Sequence, residues 1–339
     1  MSMATGVVSM ASFLLGFGLI ARALLAINVI AYPTLLIVTG VRIARHRQRF
    51  IADLNDHKRS VGLFTTVAAT SVLGSQFAVV AQNLTVGRWL LGPAMVLWAA
   101  CMYTVFTLLT VRDDKPTLAE GINGGWLTAV VATQSICVLG CLVAPTFGQG
   151  KDLLLFVLLA FWLCGGMLYI WTISLIFYRY MFFRFSPSDL MPPYWINMGA
   201  MAISTLAGAM LIRNAPASAL LHDLLPFLKG FSLWYWATAT WWIPMLIILA
   251  IWRHGVKRFP LTYDPLYWGA VFPLGMYTVA TFRIAAAVGV PALGEVPRYF
   301  FFVALAAWVA TFLGLLRRLA QLAQPPAPEA GMNLPVQVS

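Results

Sequence analysis

Charged side chains are scarce in this 339-residue sequence: 22 lysines and arginines and 11 aspartates and glutamates make up only 10% of the residues. Hydrophobic residues account for 61%, and the mean hydropathy is +0.83. A soluble protein of this length needs far more charge to cover its surface. The composition therefore excludes a soluble globular protein and indicates one that crosses a membrane several times.

Acidic side chains are missing from the apolar segments. All 11 fall in predicted loops, at helix ends or in the C-terminal tail. Cation pathways and cation-coupled carriers place carboxylates at membrane depth, so this absence argues against both. The four histidines also lie in predicted loops. We therefore expect no haem or other cofactor held between helices, and no metal site.

Cysteine is rare as well, and the four cysteines give neither a disulfide framework nor a metal-ligand spacing. Cys137 and Cys141 are four residues apart and lie on one face of a predicted helix. This pair leaves one alternative open, a cysteine-dependent membrane redox enzyme. Small residues that allow close helix packing are the simpler interpretation, and on it we expect no enzyme.

Apolar segments of about 20 residues, the length of helix that crosses a ~30 Å hydrocarbon layer, recur along the chain. Ten can be recognised, at 3–20, 23–43, 60–82, 87–111, 124–146, 152–178, 194–213, 226–252, 265–288 and 297–317. The sequence thus predicts an all-α integral membrane protein with a single ten-helix transmembrane domain over residues 1–320. The Pro-rich end, 321–339, is predicted to be a disordered cytoplasmic tail.

Lysine and arginine are distributed unevenly between the two ends of these predicted helices. Fifteen of the 22 lie after even-numbered helices, six lie on the opposite side, and Arg283 falls within the ninth helix. By the positive-inside rule, both termini of this multi-pass protein are cytoplasmic and the helices cross the inner or plasma membrane. The net charge of +11 follows from this placement, so we expect the lipid bilayer and no nucleic acid as a partner.

Two kinds of helix alternate. Odd-numbered helices are rich in Gly, Ala, Ser and Thr, which lets helices approach closely or line a polar passage, whereas even-numbered helices are bulkier. This predicts an inner ring of five helices inside an outer ring of five. Similar short segments end at Thr70, Thr133, Thr205 and Thr281, in steps of 63, 72 and 76 residues, which indicates a parallel tandem repeat.

The predicted interior offers neutral hydroxyl and amide groups and no fixed negative charge, which favours a passage for anions. Hydrogen bonding between helices is the alternative use of these groups. Arg283 near the outer end of the ninth helix either attracts anions to the external mouth or extends to the lipid headgroups. Pro273 and Gly275 are predicted helix breaks. The candidate pore-lining residues are Gly6, Thr66, Thr70, Thr133, Ser135, Ser204, Thr205, Thr278 and Arg283.

Five segments resemble the tellurite-resistance/C4-dicarboxylate transporter family, which includes yeast malate permeases and sulfite pumps and the slow anion channels of plant guard cells. They are 3–9 (MATGVVS), 53–74 (DLNDHKRSVGLFTTVAATSVLG), 192–208 (PPYWINMGAMAISTLAG), 234–242 (WYWATATWW) and 263–283 (YDPLYWGAVFPLGMYTVATFR). The resemblance covers residues 3–318. Members usually have residues ahead of the first motif, whereas this sequence begins there.

The resemblance implies five parallel helical hairpins whose first helices enclose a pore, a homotrimer as the usual assembly, and a phenylalanine of the ninth helix that plugs the pore. Phe272, which follows Trp268 by four residues and precedes Pro273, matches that position. We therefore expect channel-like transport of small inorganic anions or of C4-dicarboxylates such as malate and succinate. A tellurite or sulfite resistance efflux protein is the alternative within the same class.

Overall fold

The computed structural model describes residues 1–323, which form helices joined by loops and turns and contain no β-strand. The long helices are α1 (Ser2–Leu14), α2 (Gly18–Arg45), α3 (Phe64–Val79), α4 (Leu84–Val111), α5 (Thr128–Val143), α6 (Lys151–Phe182), α7 (Ile196–Asn214), α8 (Leu225–Ile251), α9 (Trp268–Val288) and α10 (Val296–Ala323). Short helices lie at Arg47–Leu54, Leu118–Gly121 and Ala219–Asp223. Single 3₁₀ turns precede four long helices, at Ser60–Leu63, Gly124–Leu127, Pro192–Trp195 and Pro265–Tyr267.

Eight helical segments within residues 1–323 are long and apolar enough to cross a membrane. One of them, Gly124–Phe182, is 59 residues long and contains both α5 and α6, which meet at a kink where Gly148 has a φ of +52°. Helix α1 has 13 residues and reaches only about 20 Å. The prediction of an all-helical, membrane-spanning chain is therefore confirmed.

Some predicted helix boundaries are wrong. The first helix was expected to run to residue 20, but α1 ends at Leu14 because Gly16 takes a left-handed turn with a φ of +89°. The second helix accordingly begins at Gly18 and not at residue 23. At the other end, α10 continues to Ala323, past the predicted limit at 320. The rest of the predicted tail, 324–339, lies outside the described residues.

Burial separates the helices into two sets. Helices α1, α3, α5, α7 and α9, called the inner helices, are largely buried: the buried share is 94% in the most apolar part of α7 and only 17% in that of α2. The outer helices, α2, α4, α6, α8 and α10, keep large apolar side chains exposed. The small-residue composition of the odd-numbered segments thus coincides with the buried set.

The inner helices contact one another in a closed cycle. Helix α1 packs against α3, α3 against α5, α5 against α7, α7 against α9, and α9 against α1. Each outer helix packs against the inner helix before it and the inner helix after it, with α10 returning to α1. Small residues permit this proximity: a Cβ added at Gly6 of α1 would lie 2.5 Å from Val72 Cγ1 of α3.

Each outer helix also sends an aromatic side chain from near its middle to the next inner helix, where it hydrogen bonds. We call these five bonds the aromatic girdle. They are Tyr32 OH to Thr70 Oγ1 (2.7 Å), Trp98 Nε1 to Thr133 Oγ1 (2.8 Å), Trp162 Nε1 to the carbonyl oxygen of Ser204 (2.9 Å), Trp236 Nε1 to Thr281 Oγ1 (3.1 Å) and Trp308 Nε1 to Thr5 Oγ1 (3.0 Å).

The girdle accounts for three of the four recurrent threonines, Thr70, Thr133 and Thr281, whereas on α7 the acceptor is a backbone carbonyl and not Thr205. An indole N–H in hydrocarbon has no water to bind, so leaving it unpaired is costly. A threonine hydroxyl can donate to its own helix and still accept this bond. Thr133 does so, donating to the carbonyl of Ala129 at 2.8 Å. The girdle therefore ties the outer layer to the inner one without exposing a polar group.

Replacing Trp98 by Phe removes one girdle bond and keeps most of the aromatic volume. We expect Trp98→Phe to destabilise the protein by about 1 kcal/mol, the usual value of a hydrogen bond between membrane helices. The readout is unfolding in detergent micelles. Trp89→Phe on the same helix is the matched control, because Trp89 is 77% exposed. Equal stabilities of the two variants would contradict a structural role for the girdle.

Candidate functional site

Phe272 and Pro273 lie in the first half of α9, one of the inner helices. Phe272 is fully buried. Pro273 has no N–H, so the carbonyl of Gly269 loses its helical hydrogen bond. The proline ring is seated against α7, since a Cβ added at Gly199 would lie 2.7 Å from Pro273 Cγ. The backbone that carries Phe272 is therefore held at a fixed distance from α7.

The opposite contact of α9 is with α1 and also depends on a glycine. A Cβ added at Gly275 would lie 3.0 Å from Val7 Cγ1 and 3.2 Å from Val8 Cγ2. Helix α9 is thus wedged between α7 and α1 at the level of Phe272, with a glycine at each contact. The two predicted helix breaks, Pro273 and Gly275, both serve this close packing, and α9 remains one continuous helix through them.

The hydroxyl groups predicted to line a pore are all hydrogen bonded within their own helices. Each donates to a backbone carbonyl three or four residues earlier, at 2.7–3.1 Å: Thr66, Thr70, Thr133, Ser135, Ser204, Thr205 and Thr278. A hydroxyl has a single hydrogen to donate. In this conformation, therefore, these seven groups present no free donor to an anion, and Thr70 and Thr133 are also occupied by the girdle.

An amide on α3 does keep a free donor. Gln76 is fully buried, its Oε1 accepts a hydrogen bond of 2.8 Å from Asn28 Nδ2, and its Nε2 has no partner among the described residues. Gly6 borders this amide: a Cβ there would lie 3.3 Å from Gln76 Oε1. Asn28 escaped the sequence analysis because it lies on a bulky outer helix, although a buried amide in an apolar segment is itself a signal.

A narrow cavity lies where the C-terminal halves of the inner helices meet. Every inner helix contributes to its wall, which consists of Met10, Leu14, Val79, Val138, Leu142, Leu206, Met210, Val279 and Arg283. Such a cavity lies on the common axis of the five helices. Of the predicted site residues, Arg283 lines it; the hydroxyl candidates, Gly6 and Phe272 do not.

Arg283 is half-buried in this wall, and no carboxylate among residues 1–323 forms an ion pair with it. The five inner helices carry no aspartate or glutamate, and their charged residues are Arg213 and Arg283. The potential on the helix axis is therefore positive. An arginine in an otherwise apolar wall attracts anions and repels cations.

Comparison with known proteins decides the family. The model of the SLAC1 family, described as voltage-dependent anion channels, matches residues 1–316. The chain belongs to this family. The resemblance inferred from the sequence is thereby confirmed, and the chain is a membrane transport protein.

Relatives of this SLAC1-family chain come from bacteria, archaea and fungi. An uncharacterized membrane protein of Mycobacterium tuberculosis is 40% identical over 155 residues, which are 45% of this chain and 77% of that protein. An uncharacterized transporter of Methanocaldococcus jannaschii is 24% identical, over 86% of this chain and 83% of its own length. A sulfite efflux pump of Trichophyton rubrum is 23% identical, over 88% and 82%.

The SLAC1 family is described as anion channels, and two of these relatives are named as a transporter and an efflux pump and not as enzymes, which removes the cysteine-dependent redox alternative. Cys137 and Cys141 are buried side by side in α5, as expected of small packing residues. Within residues 1–323, no three histidine, cysteine or acidic side chains are grouped closely enough to hold a metal ion.

The contact between Gly199 and Pro273 gives a stability prediction. Gly199→Ala places a methyl group against a rigid ring and a helix backbone, neither of which can yield locally. We expect a destabilisation of about 1–3 kcal/mol, typical of overpacking, measured by thermal unfolding in detergent. Gly230→Ala is the control, because nothing lies within 4 Å of its added Cβ and alanine favours the helix. An unchanged Gly199→Ala protein would contradict the close packing of α9 on α7.

Proposed function

We propose that the chain conducts anions along the axis of its inner helices. In this proposal α1–α10 are ten transmembrane helices, arranged as five parallel hairpins in a single domain over residues 1–320. Both termini are cytoplasmic, and the helices cross the inner or plasma membrane. The membership in the anion-channel family supports transport of anions, and the closed cycle of inner-helix contacts supports an axial route.

The observation that carries the proposal is the axial cavity. All five inner helices line it, and its one charged residue is Arg283. A cation path needs carboxylates at depth, whereas an anion path needs positive potential and donors that bind weakly enough to release the ion. The lack of acids on the inner helices and the unpaired Arg283 favour the anion path.

Phe272 is the proposed gate. It lies on an inner helix, fully buried, and it immediately precedes Pro273, which interrupts the helical hydrogen bonds of α9. Turning the ring aside about its side-chain torsions would open the axis without moving a helix. Because Pro273 is fixed against Gly199, the backbone stays in place while the side chain moves.

Anions bind only weakly along this passage, because few hydrogen-bond donors are free. The seven hydroxyl candidates already donate to their own helices, so an anion meets them only if a side chain rotates away from its carbonyl. Gln76 Nε2 supplies a free donor near Gly6. Weak, scattered donors suit a conducting pathway better than a carrier that holds one substrate tightly.

The proposed substrates are small inorganic anions, including sulfite, or C4-dicarboxylates such as malate and succinate. The relative named as a sulfite efflux pump favours a small oxyanion and keeps an efflux role in sulfite or tellurite resistance open. A dicarboxylate needs a second positive partner, and Arg283 is the cation on the axial cavity. The exposed apolar faces of the outer helices contact lipid or, in a homotrimer, neighbouring subunits.

Phe272→Ala is the direct test of the gate. We expect it to raise anion flux into proteoliposomes by about tenfold or more. If displacing the ring contributes only about 1.4 kcal/mol to the barrier for conduction, removing the ring already raises the rate by that factor. Chloride, nitrate, sulfite, malate and succinate are compared, with and without a pH gradient. Phe156→Ala serves as control, because Phe156 is 55% exposed on an outer helix. An unchanged flux with correctly inserted protein would remove the gate.

Neutralising Arg283 tests the charge on the cavity. We expect Arg283→Gln to lower anion flux most at low ionic strength, where the positive potential is least screened, and to lower malate flux more than chloride flux. Arg283→Lys should restore much of the chloride flux because it keeps the charge. Arg22→Gln, an exposed arginine near the same end of the molecule, is the control. Equal effects at Arg283 and Arg22 would refute a role on the axis.

A further inference from the structure

A second positively charged site lies away from the axis, where α8 ends. The last turn of α8 widens into a π-helical turn at Trp252–Val256. This turn carries Arg253, whose side chain is turned inward: the residue is only 9% exposed, although the next cations along the chain, Lys257 and Arg258, are exposed. A buried guanidinium normally has a carboxylate partner, because an isolated buried charge is costly.

Arg179 is a buried arginine of this chain that does have hydrogen-bond and ion-pair partners. It is 5% exposed, pairs with Asp189 through Nη2 at 3.0 Å and donates to the carbonyl oxygen of Ile122 at 2.9 Å. Arg253, by contrast, makes no ion pair and no side-chain hydrogen bond with any described residue. One face of its guanidinium lies over the ring of Phe259, with Cζ 4.3 Å from the ring centre. Its donors are therefore left without a partner.

These donors border a small cavity between the end of α8 and the beginnings of α7 and α9. The polar side chains in its wall are Arg253, His254, Tyr267 and Tyr194, and no acidic residue lines it. The phenol of Tyr267 makes no hydrogen bond within residues 1–323, so it is available alongside Arg253. The His254 ring is fixed by a 2.9 Å contact between Nδ1 and the carbonyl oxygen of Phe259.

We propose that this cavity binds an oxyanion of the phosphate type, held by the Arg253 guanidinium and the Tyr267 hydroxyl. A guanidinium presents paired N–H groups that match two oxygens of one phosphate, which a halide cannot offer. The phosphate belongs either to the headgroup of an anionic phospholipid or to free inorganic phosphate. The same chemistry serves both, and the position at the end of an outer helix is accessible to both.

The site is separate from the axial cavity but touches the helix that carries Phe272. Ala270, two residues before Phe272, lines the oxyanion cavity, as does Trp195 at the start of α7. A bound phosphate group would thus contact α8, α7 and the first turn of α9 together. Occupancy fixes these three helix ends relative to one another and so stabilises the folded protein.

Binding is measured with inorganic phosphate first. Purified full-length protein in detergent is unfolded thermally in sodium phosphate or in sodium chloride of equal ionic strength, and the phosphate concentration dependence gives an apparent dissociation constant. We expect Arg253→Gln to weaken binding by about tenfold or more, the effect of losing charge-assisted hydrogen bonds. Arg258→Gln, the exposed neighbour, should leave it unchanged. Tyr267→Phe should weaken it less, and provides a second variant if Arg253→Gln does not fold.

Binding of a lipid headgroup is tested with the protein in nanodiscs of phosphatidylcholine with or without phosphatidylglycerol. Native mass spectrometry then identifies the lipid that stays bound. Stabilisation or lipid retention that depends on Arg253 and not on Arg258 supports the site. Whether this effect occurs with inorganic phosphate or with phosphatidylglycerol identifies the source of the bound phosphate group. If neither phosphate nor phosphatidylglycerol gives an effect specific to Arg253 and Tyr267, or if Arg258→Gln loses binding equally, the proposal is wrong.

Discussion

Polar groups inside a membrane must find their partners within the protein, and this requirement organises the whole structure. The five aromatic side chains of the girdle satisfy their N–H or O–H groups on the next inner helix, and four of the acceptors are threonine hydroxyls. Apolar contacts between the two layers are not directional, whereas the hydrogen bonds of the girdle are. The girdle thus fixes the orientation of each outer helix relative to the next inner helix. It also leaves the inner layer with few free donors, which makes any binding site along the axis weak.

Helix α9 differs from the other inner helices in three respects that bear on conduction. It contains Phe272, it contains a proline within the helix, and it carries Arg283 into the wall of the axial cavity. Its neighbours hold it through glycine contacts at Gly199 and Gly275. A side chain can therefore move where the backbone cannot, and opening need not disturb the packing that the girdle maintains.

The helical class, the alternation of small and bulky helices and the recurrent threonine could be predicted from the sequence. Each of these features depends on which residues a segment contains and not on how the segments pack. The roles of the hydroxyls could not be read in the same way. Thr70 and Thr133 were predicted to face a pore, and whether a hydroxyl faces a pore or a tryptophan depends on helix rotation, which a short motif does not encode. The end of α1 was missed because the turn at Gly16 lies inside a continuous apolar run. By its place in the sequence Arg253 is one of the fifteen cations that follow even-numbered helices, whereas in the structure a π-helical turn buries it.

The central claim is that the axis of the inner helices conducts anions. The most direct measurement is the reversal potential of the purified protein in a planar bilayer under a potassium chloride gradient. The account predicts a potential close to that of chloride, as expected from a passage with Arg283 and no carboxylate. A potential close to that of potassium would contradict it.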